Sequence, residues 1–160
     1  MEIMRKNWLN IVLFEPEIPA NTGNIGRMCV GLDIKLHLIE PMGFLINDKE
    51  LKRAGLDYWP DLDVETYHNF DNFLDRNQHP QFYFASTKST NSYFNVNFKT
   101  GDYIVFGRES AGLPAYFHDN YRKNGITIPM PGKVRSINLS NSAAIIAYEA
   151  YRQLFATGVN

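Results

Sequence analysis

Two short segments carry the residues whose types and spacing could do chemistry. Tyr103 to Phe106 is an apolar run that ends in Gly107, and Arg108-Glu109-Ser110-Ala111-Gly112-Leu113-Pro114 follows it. A glycine at the carboxyl end of a buried strand lets a flat ligand approach the backbone, and it equally permits a tight turn. Glu109 can be a polar orienting group or a carboxylate at the start of a helix. The second segment is Asn21-Thr22-Gly23-Asn24-Ile25-Gly26-Arg27. Its two glycines lack the G-x-G-x-x-G spacing of a dinucleotide fingerprint. As a turn into a helix it could still offer backbone amides to a phosphate, with Arg27 adding a fixed positive fork. Arg27 on a solvated helix face is the plainer alternative.

Other chemistries find little support. His37, His68, His79 and His118 are scattered, with neither an i, i+4 pair nor a cysteine partner, so no metal site is expected. There is no G-x-S-x-G elbow and no Walker loop. The formal net charge is -1, so bulk electrostatics cannot hold nucleic acid and any RNA contact must be a local patch. Candidate groups are Lys49, Lys52 and Arg53, then Arg122 and Lys123, then Lys133 and Arg135, each of which also reads as ordinary solvated surface.

The elements that must position these residues follow from the apolar pattern. Leu9 to Phe14, Leu36 to Ile39, Phe82 to Ala85, Tyr103 to Phe106 and Ile126 to Ile128 read as short buried strands alternating with helical stretches, the pattern of a mostly parallel α/β sheet. Ile25, Met28, Cys29 and Leu32 fall at helical spacing behind the capping candidates Asn21 and Thr22, which makes Cys29 a core residue. Further helices are expected over Asp48 to Ala54, over Phe70 to Arg76 behind the cap Asn69, and in a short stretch after Pro114. Thr87 to Gly101, polar with scattered aromatics, reads as a mobile surface loop. Tyr58 and Trp59 are candidate stacking surfaces for a base. In the tail, Asn141 to Ala156, apolar residues cover more than one side of a helix, with Asn141 and Ser142 as capping candidates. One sheet cannot bury all of it, so a homodimer is expected.

At 160 residues and 44% hydrophobic, the chain reads as one domain spanning 1–160 with a sizeable core. The single Cys29 cannot form an intramolecular disulfide, and Leu9 to Phe14 is too short to cross a bilayer. No small-residue cleavage site follows that run. A reducing, cytoplasmic setting with no membrane partner is the expectation.

Several segments together resemble a known family. Ile128-Pro129-Met130-Pro131, leading through Lys133, Arg135 and Ser136 into Ile137-Asn138-Leu139-Ser140-Asn141, and Gly107 to Pro114 upstream, resemble the cofactor-binding half of the SPOUT class of RNA methyltransferases. Glu15-Pro16-Glu17-Ile18-Pro19-Ala20-Asn21-Thr22-Gly23-Asn24-Ile25, His37 to Phe44, and Arg53 to Tyr58 are similar to the TrmL or YibK-like branch of its SpoU/TrmH group, the tRNA (cytidine/uridine) wobble-nucleotide 2′-O-methyltransferases. The likeness covers nearly the whole chain.

The resemblance implies a SPOUT α/β fold with helices on both faces of the sheet and a deep C-terminal trefoil knot, an exception to the rule that chains avoid knots. It implies S-adenosylmethionine as methyl donor, bound by loops that carry Ala85, Gly107, Ile128 and Ser136. The family commonly has a larger apolar residue where Ala85 stands. It implies a tRNA anticodon stem-loop as acceptor, with leucine isoacceptors foremost, and a homodimer in which two subunits build each active site. Arg27 matches the family's catalytic arginine. Because a guanidinium stays protonated, its role is to hold the adjoining phosphate and stabilise charge on the 2′-oxygen, not to act as a base. Asn138 and Glu109 are the next catalytic candidates, as groups that orient the ribose or Arg27. Asn21, Arg27, Lys133 and Arg135 are the RNA-binding candidates. Methylation of a different tRNA or rRNA ribose, and a non-catalytic RNA-binding protein, are the competing readings.

Overall fold

The first strand, β1 (Leu9–Phe14), is apolar except for Asn10, and every residue in it is buried. A strand with no solvent-facing side needs cover on both faces of its sheet, which parallel α/β architecture supplies. The computed structural model describes residues 5–46, 49, 53 and 57–156. After β1 come α1 (Pro19–Leu32), β2 (Lys35–Ile39), β3 (Val64–Tyr67), α2 (Phe70–Arg76), β4 (Phe82–Ala85), β5 (Asp102–Phe106), α3 (Ala115–Tyr121), β6 (Gly125–Ile126) and α4 (Leu139–Tyr151). The strands form one sheet in the order β3-β2-β1-β5-β4-β6, and every pairing is parallel.

Side-chain alternation divides the core into two layers. Leu9, Ile11 and Leu13, Leu36 and Leu38, and Ile104 and Phe106 face Ile25, Cys29 and Leu32 of α1 and Ala143, Ile146, Ala147 and Ala150 of α4. Val12, Phe14, Ile39, Phe82, Phe84 and Val105 face Phe70, Phe73 and Leu74 of α2 and Phe117 of α3. The expected helices on both faces are thus present. Cys29 is fully buried, and desolvation pushes its thiol pKa up, in keeping with a core residue. Asn69 caps α2 as expected, accepting from the Asn72 amide at 2.7 Å.

Four expectations need correction. Helix α1 starts at Pro19 with Ile18 as its N-cap, so Asn21 and Thr22 lie inside its first turns and do not cap it. The segment to Arg27 is therefore helix, not a turn that presents free amides. Strand β3 escaped the sequence reading because it is an edge strand, Val-Glu-Thr-Tyr, with only Tyr67 buried. The segment from 87 to 101 is held in place: Ser92 bridges to Thr127, the Tyr93 amide donates to the Thr127 carbonyl at 3.0 Å, and Val96 and Phe98 are core residues. Tyr93, Val96 and Phe98 are its anchors, while Phe94 stays exposed. Helix α4 begins at Leu139 and is capped by Asn138, not by Asn141 or Ser142.

The tail ends in a wider π turn, Arg152–Ala156, where Tyr151 and Phe155 pack on Trp8 with ring centroids 6.0 and 5.0 Å away. Part of the second apolar side of the tail is therefore covered by the chain itself, while Tyr148 stays 53% exposed. The helix expected over 48–54 lies, apart from residues 49 and 53, outside the described residues. Among the described residues no helix is long and apolar enough to cross a membrane, and no group of three or more His, Cys, Asp or Glu could hold a metal ion.

In the middle of β2, His37 is fully buried between two partners. The Asn10 amide nitrogen reaches the Gly101 and Asp102 carbonyls at 3.2 and 3.4 Å, which leaves its oxygen to accept from His37 Nε2 at 2.9 Å. Nδ1 then accepts from the Tyr67 hydroxyl at 2.8 Å. Burial, reinforced by Lys35, lowers the pKa of this imidazole to about 3. The unfolded chain takes up a proton below its ordinary value of about 6.5 that the folded chain refuses, so stability falls as pH drops from there towards 3. Urea unfolding at pH 7.5 and 5.5 is expected to show a loss of about 1.4 kcal/mol that is missing in His37→Gln. Equal losses in both proteins would refute this account.

Candidate active site

The carboxyl ends of β4, β5 and β6 converge on a cleft of about 450 Å³. This is where open α/β sheets place ligands, and the volume suits a small organic molecule. Ala85 to Lys88 leave β4 along one wall, Gly107 to Leu113 leave β5 along another, and Thr127 and Ile128 follow β6. Met130 and the stretch from Arg135 to Leu139 close the remaining side. All four residues expected to bind a cofactor, Ala85, Gly107, Ile128 and Ser136, line this cleft, as do Asn21, Glu109, Arg135 and Asn138. Arg27 and Lys133 do not. Lys133 is exposed, and the Arg27 side chain is 66% exposed with its guanidinium 3.9 Å from Asp57. Tyr58 is no stacking surface, since it is buried with its hydroxyl donating to the Gly23 carbonyl.

Gly107 is required by its own loop. A Cβ there would lie 2.4 Å from the Gly112 carbonyl carbon and 2.6 Å from the Leu113 nitrogen. The loop folds back because Arg108 and Gly112 exchange backbone hydrogen bonds at 3.1 and 2.9 Å. Of the two sequence readings, the tight turn explains the glycine, and that turn lays the bare backbone along the cleft.

Glu109 proves to be a helix-start carboxylate, although the helix is α1 and not its own. Its oxygens accept from the amides of Glu17 at 2.8 Å and Ile18 at 3.2 Å. Helix α1 has no side-chain cap of its own, so this carboxylate supplies the missing acceptor and meets the positive end of the helix. Glu17 answers in the other direction. Its carboxylate accepts from the Ser110 amide at 3.0 Å and hydroxyl at 2.7 Å, and these bonds hold its pKa below the usual carboxylate value. Beside them Arg108 reaches Glu15 at 3.2 Å with its guanidinium 5.7 Å from the centre of the Phe14 ring. Glu109 therefore positions the site, with both oxygens committed to main-chain donors.

Asn138 is likewise committed. Its side-chain oxygen accepts from the Ser140 amide at 2.8 Å and the Asn141 amide at 3.4 Å, while its nitrogen donates to Asn21 Oδ1 at 3.0 Å. Asn21 is buried, so its place is to brace α4 against α1. Sequence reasoning missed Glu17, Ser86, Ser110, Thr127 and His118. The last had been set aside with the scattered histidines, yet its Nε2 lies 3.1 Å from Ser86 Oγ within the cleft wall. Contacts of that sequence separation leave no local signal.

A ligand-sized cleft at the carboxyl edge of a parallel sheet, with the cations Lys88 and Arg135 among its lining residues, defines a ligand-binding protein of the α/β class. Residues 8–148 match the SpoU rRNA Methylase family, and the chain belongs to that family. It is 49% identical over 148 residues to the tRNA (cytidine(34)-2'-O)-methyltransferase of Escherichia coli K12, covering 91% of this chain and 94% of the relative. The Yersinia pestis protein of the same name is 47% identical over 152 residues, covering 91% and 94%. A solved structure concerned with 2-OH methylation of C/U34 on tRNA superposes with a TM-score of 0.87 at 44% identity, covering 92% of this chain and 97% of the other. In fold alone, the chain is also similar to the S-adenosylmethionine complex of a SpoU methyltransferase from Streptomyces viridochromogenes, at a TM-score of 0.77 and 23% identity, covering 96% and 63%.

Replacing Gly107 with Ala is expected to destabilise the protein by about 1–3 kcal/mol, because the new carbon meets backbone and not a yielding side chain. Chemical denaturation measures this directly. A midpoint equal to that of the parent would mean that the 108–112 loop is free to move away.

Proposed function

We propose that this protein transfers a methyl group from S-adenosylmethionine to the 2′-hydroxyl of the wobble nucleotide, cytidine or uridine, in a tRNA anticodon loop. The observation that carries the reading is that the near full-length likeness to wobble methyltransferases coincides with a cleft lined by Ala85, Gly107, Ile128 and Ser136. The residues present fit the cofactor. Phe106, Leu113, Ile128 and Leu139 offer apolar cover for a purine, and the main chain around Gly107 offers neutral donors and acceptors for its edge. When bound, the cofactor supplies a methyl group on a sulfonium, which an oxygen nucleophile can displace.

The chain's own part is to orient and to stabilise. Ala85, Gly107, Ile128 and Ser136 hold the cofactor. Asn21 and Asn138 set the spacing of α1 and α4 beside it. Arg27 grips the phosphate next to the acceptor ribose and stabilises the developing oxyanion, while the hydroxyl proton leaves to water or phosphate. Lys133 and Arg135 extend this contact along the RNA backbone. Arg27 sits outside the cleft of its own chain, and Tyr148 leaves an apolar spot on α4. Both fit a homodimer in which α1 of one subunit serves its partner's cleft, and a pair of near-neutral subunits can present one basic groove. A deep C-terminal trefoil knot and a cytoplasmic location belong to the same proposal.

The test incubates the protein with labelled S-adenosylmethionine and tRNA lacking the modification, then maps the methylated nucleoside by nuclease digestion and mass spectrometry. Label in a 2′-O-methylpyrimidine at the wobble position is expected, with leucine isoacceptors tested first. Label at another ribose would overturn the target, and no label would overturn the activity. Arg27→Ala is expected to lower kcat by about 10²–10³-fold while cofactor affinity stays unchanged. An equal loss of cofactor binding would move Arg27 into the cofactor site.

A further inference from the structure

The cleft contains a polar pair that neither the family likeness nor the mechanism above uses. Ser86, the first residue after β4, is the hub of the wall that carries Ala85. Its amide donates to the Ile126 carbonyl at 2.9 Å and its carbonyl accepts from the Ser89 amide at 3.2 Å. Its hydroxyl oxygen accepts from the Lys88 amide at 3.1 Å. The hydroxyl makes a second bond, with His118 Nε2 at 3.1 Å. His118 comes from α3, on the layer opposite α1 and α4. Its ring stands edge-on against Phe84, with centroids 5.1 Å apart, and its neighbour Phe117 is fully buried in the same layer. The imidazole is thus fixed by the core on one side and presents a nitrogen to the cleft wall on the other.

We propose that His118 is a positioning residue of the cofactor cleft: through Ser86 it holds the Ala85–Ser86 backbone where the cofactor binds. This rests on the reading of the cleft given above. The geometry gives the proposal its direction. Ala85 has a single methyl to wedge the end of β4, and the Ser86 to His118 bond adds a tie to α3. Loss of either partner removes the same tie to α3, so the two side chains act as one unit.

The test measures binding of S-adenosylhomocysteine by titration calorimetry to the full chain and to His118→Leu, His118→Gln, Ser86→Ala and the Leu/Ala double variant. His118→Leu is expected to weaken binding about tenfold, the effect of one lost hydrogen bond; Ser86→Ala, which also removes the acceptor of the Lys88 amide, weakens it at least as much, and the double variant loses no more than Ser86→Ala alone. His118→Gln, whose amide reaches the place of Nε2, restores most of the affinity. The KM for tRNA is unchanged throughout, which a general loss of structure would not leave so. Wild-type affinity in His118→Leu, or additive losses in the double variant, would overturn the proposal while leaving the cofactor reading intact. Failure of the unchanged protein to bind S-adenosylhomocysteine would overturn both.

Discussion

The arrangement of this site depends on an exchange between two glutamates. Glu109, on the loop after β5, gives its carboxylate to the amides that open α1, and Glu17, just before α1, gives its own to the amide and hydroxyl of Ser110. Hydrogen bonds to charged acceptors are among the stronger ones in proteins, and here three from main-chain amides and one from the Ser110 hydroxyl cross between the same two segments. The segment that floors the cleft and the helix that carries Arg27 therefore move as one piece. A uniform helix dipole adds to the effect, because Glu109 stands at the end of α1 where negative charge is favoured.

The same logic continues on the other side of the cleft. Asn138 caps α4 with its oxygen and holds Asn21 with its nitrogen, so the start of α4 is fixed to the start of α1. The loops after β4, β5 and β6 each meet a different helix: Ser86 meets α3, Glu109 meets α1, and the segment past Ile128 ends in the cap of α4. The cleft is lined by these loops together, and no single element supplies all of its walls. Its precision comes from these cross-links, which is why residues that first looked catalytic, Glu109 and Asn138, turn out to be occupied with holding the frame.

What could be read in the sequence was what local pattern controls. The buried strands, the amphipathic stripe of α1 and the Asn69 cap follow from periodicity and capping chemistry, and the structure has them. The edge strand β3 was missed because Glu65 and Thr66 break the apolar run on a strand that needs no full burial. The cap of α1 was misplaced because the sequence offers Asn21 and Thr22 nearby, whereas the acceptor used lies ninety residues away in a different loop. His118 looked like one of four unrelated histidines because nothing local marks Ser86 as its partner. The cofactor residues were legible only through family likeness, since backbone recognition leaves no side-chain signature.

The central claim, that the β5 loop and the start of α1 are one mechanical unit held by Glu109, is tested most directly by amide hydrogen exchange in the parent and in Glu109→Gln. Glutamine replaces one acceptor oxygen with a donor that faces a backbone amide. Exchange is expected to speed up together in residues 15–22 and 107–113, while the β1 and β2 amides keep their protection. Faster exchange in the 107–113 loop alone, with the start of α1 unchanged, would contradict it.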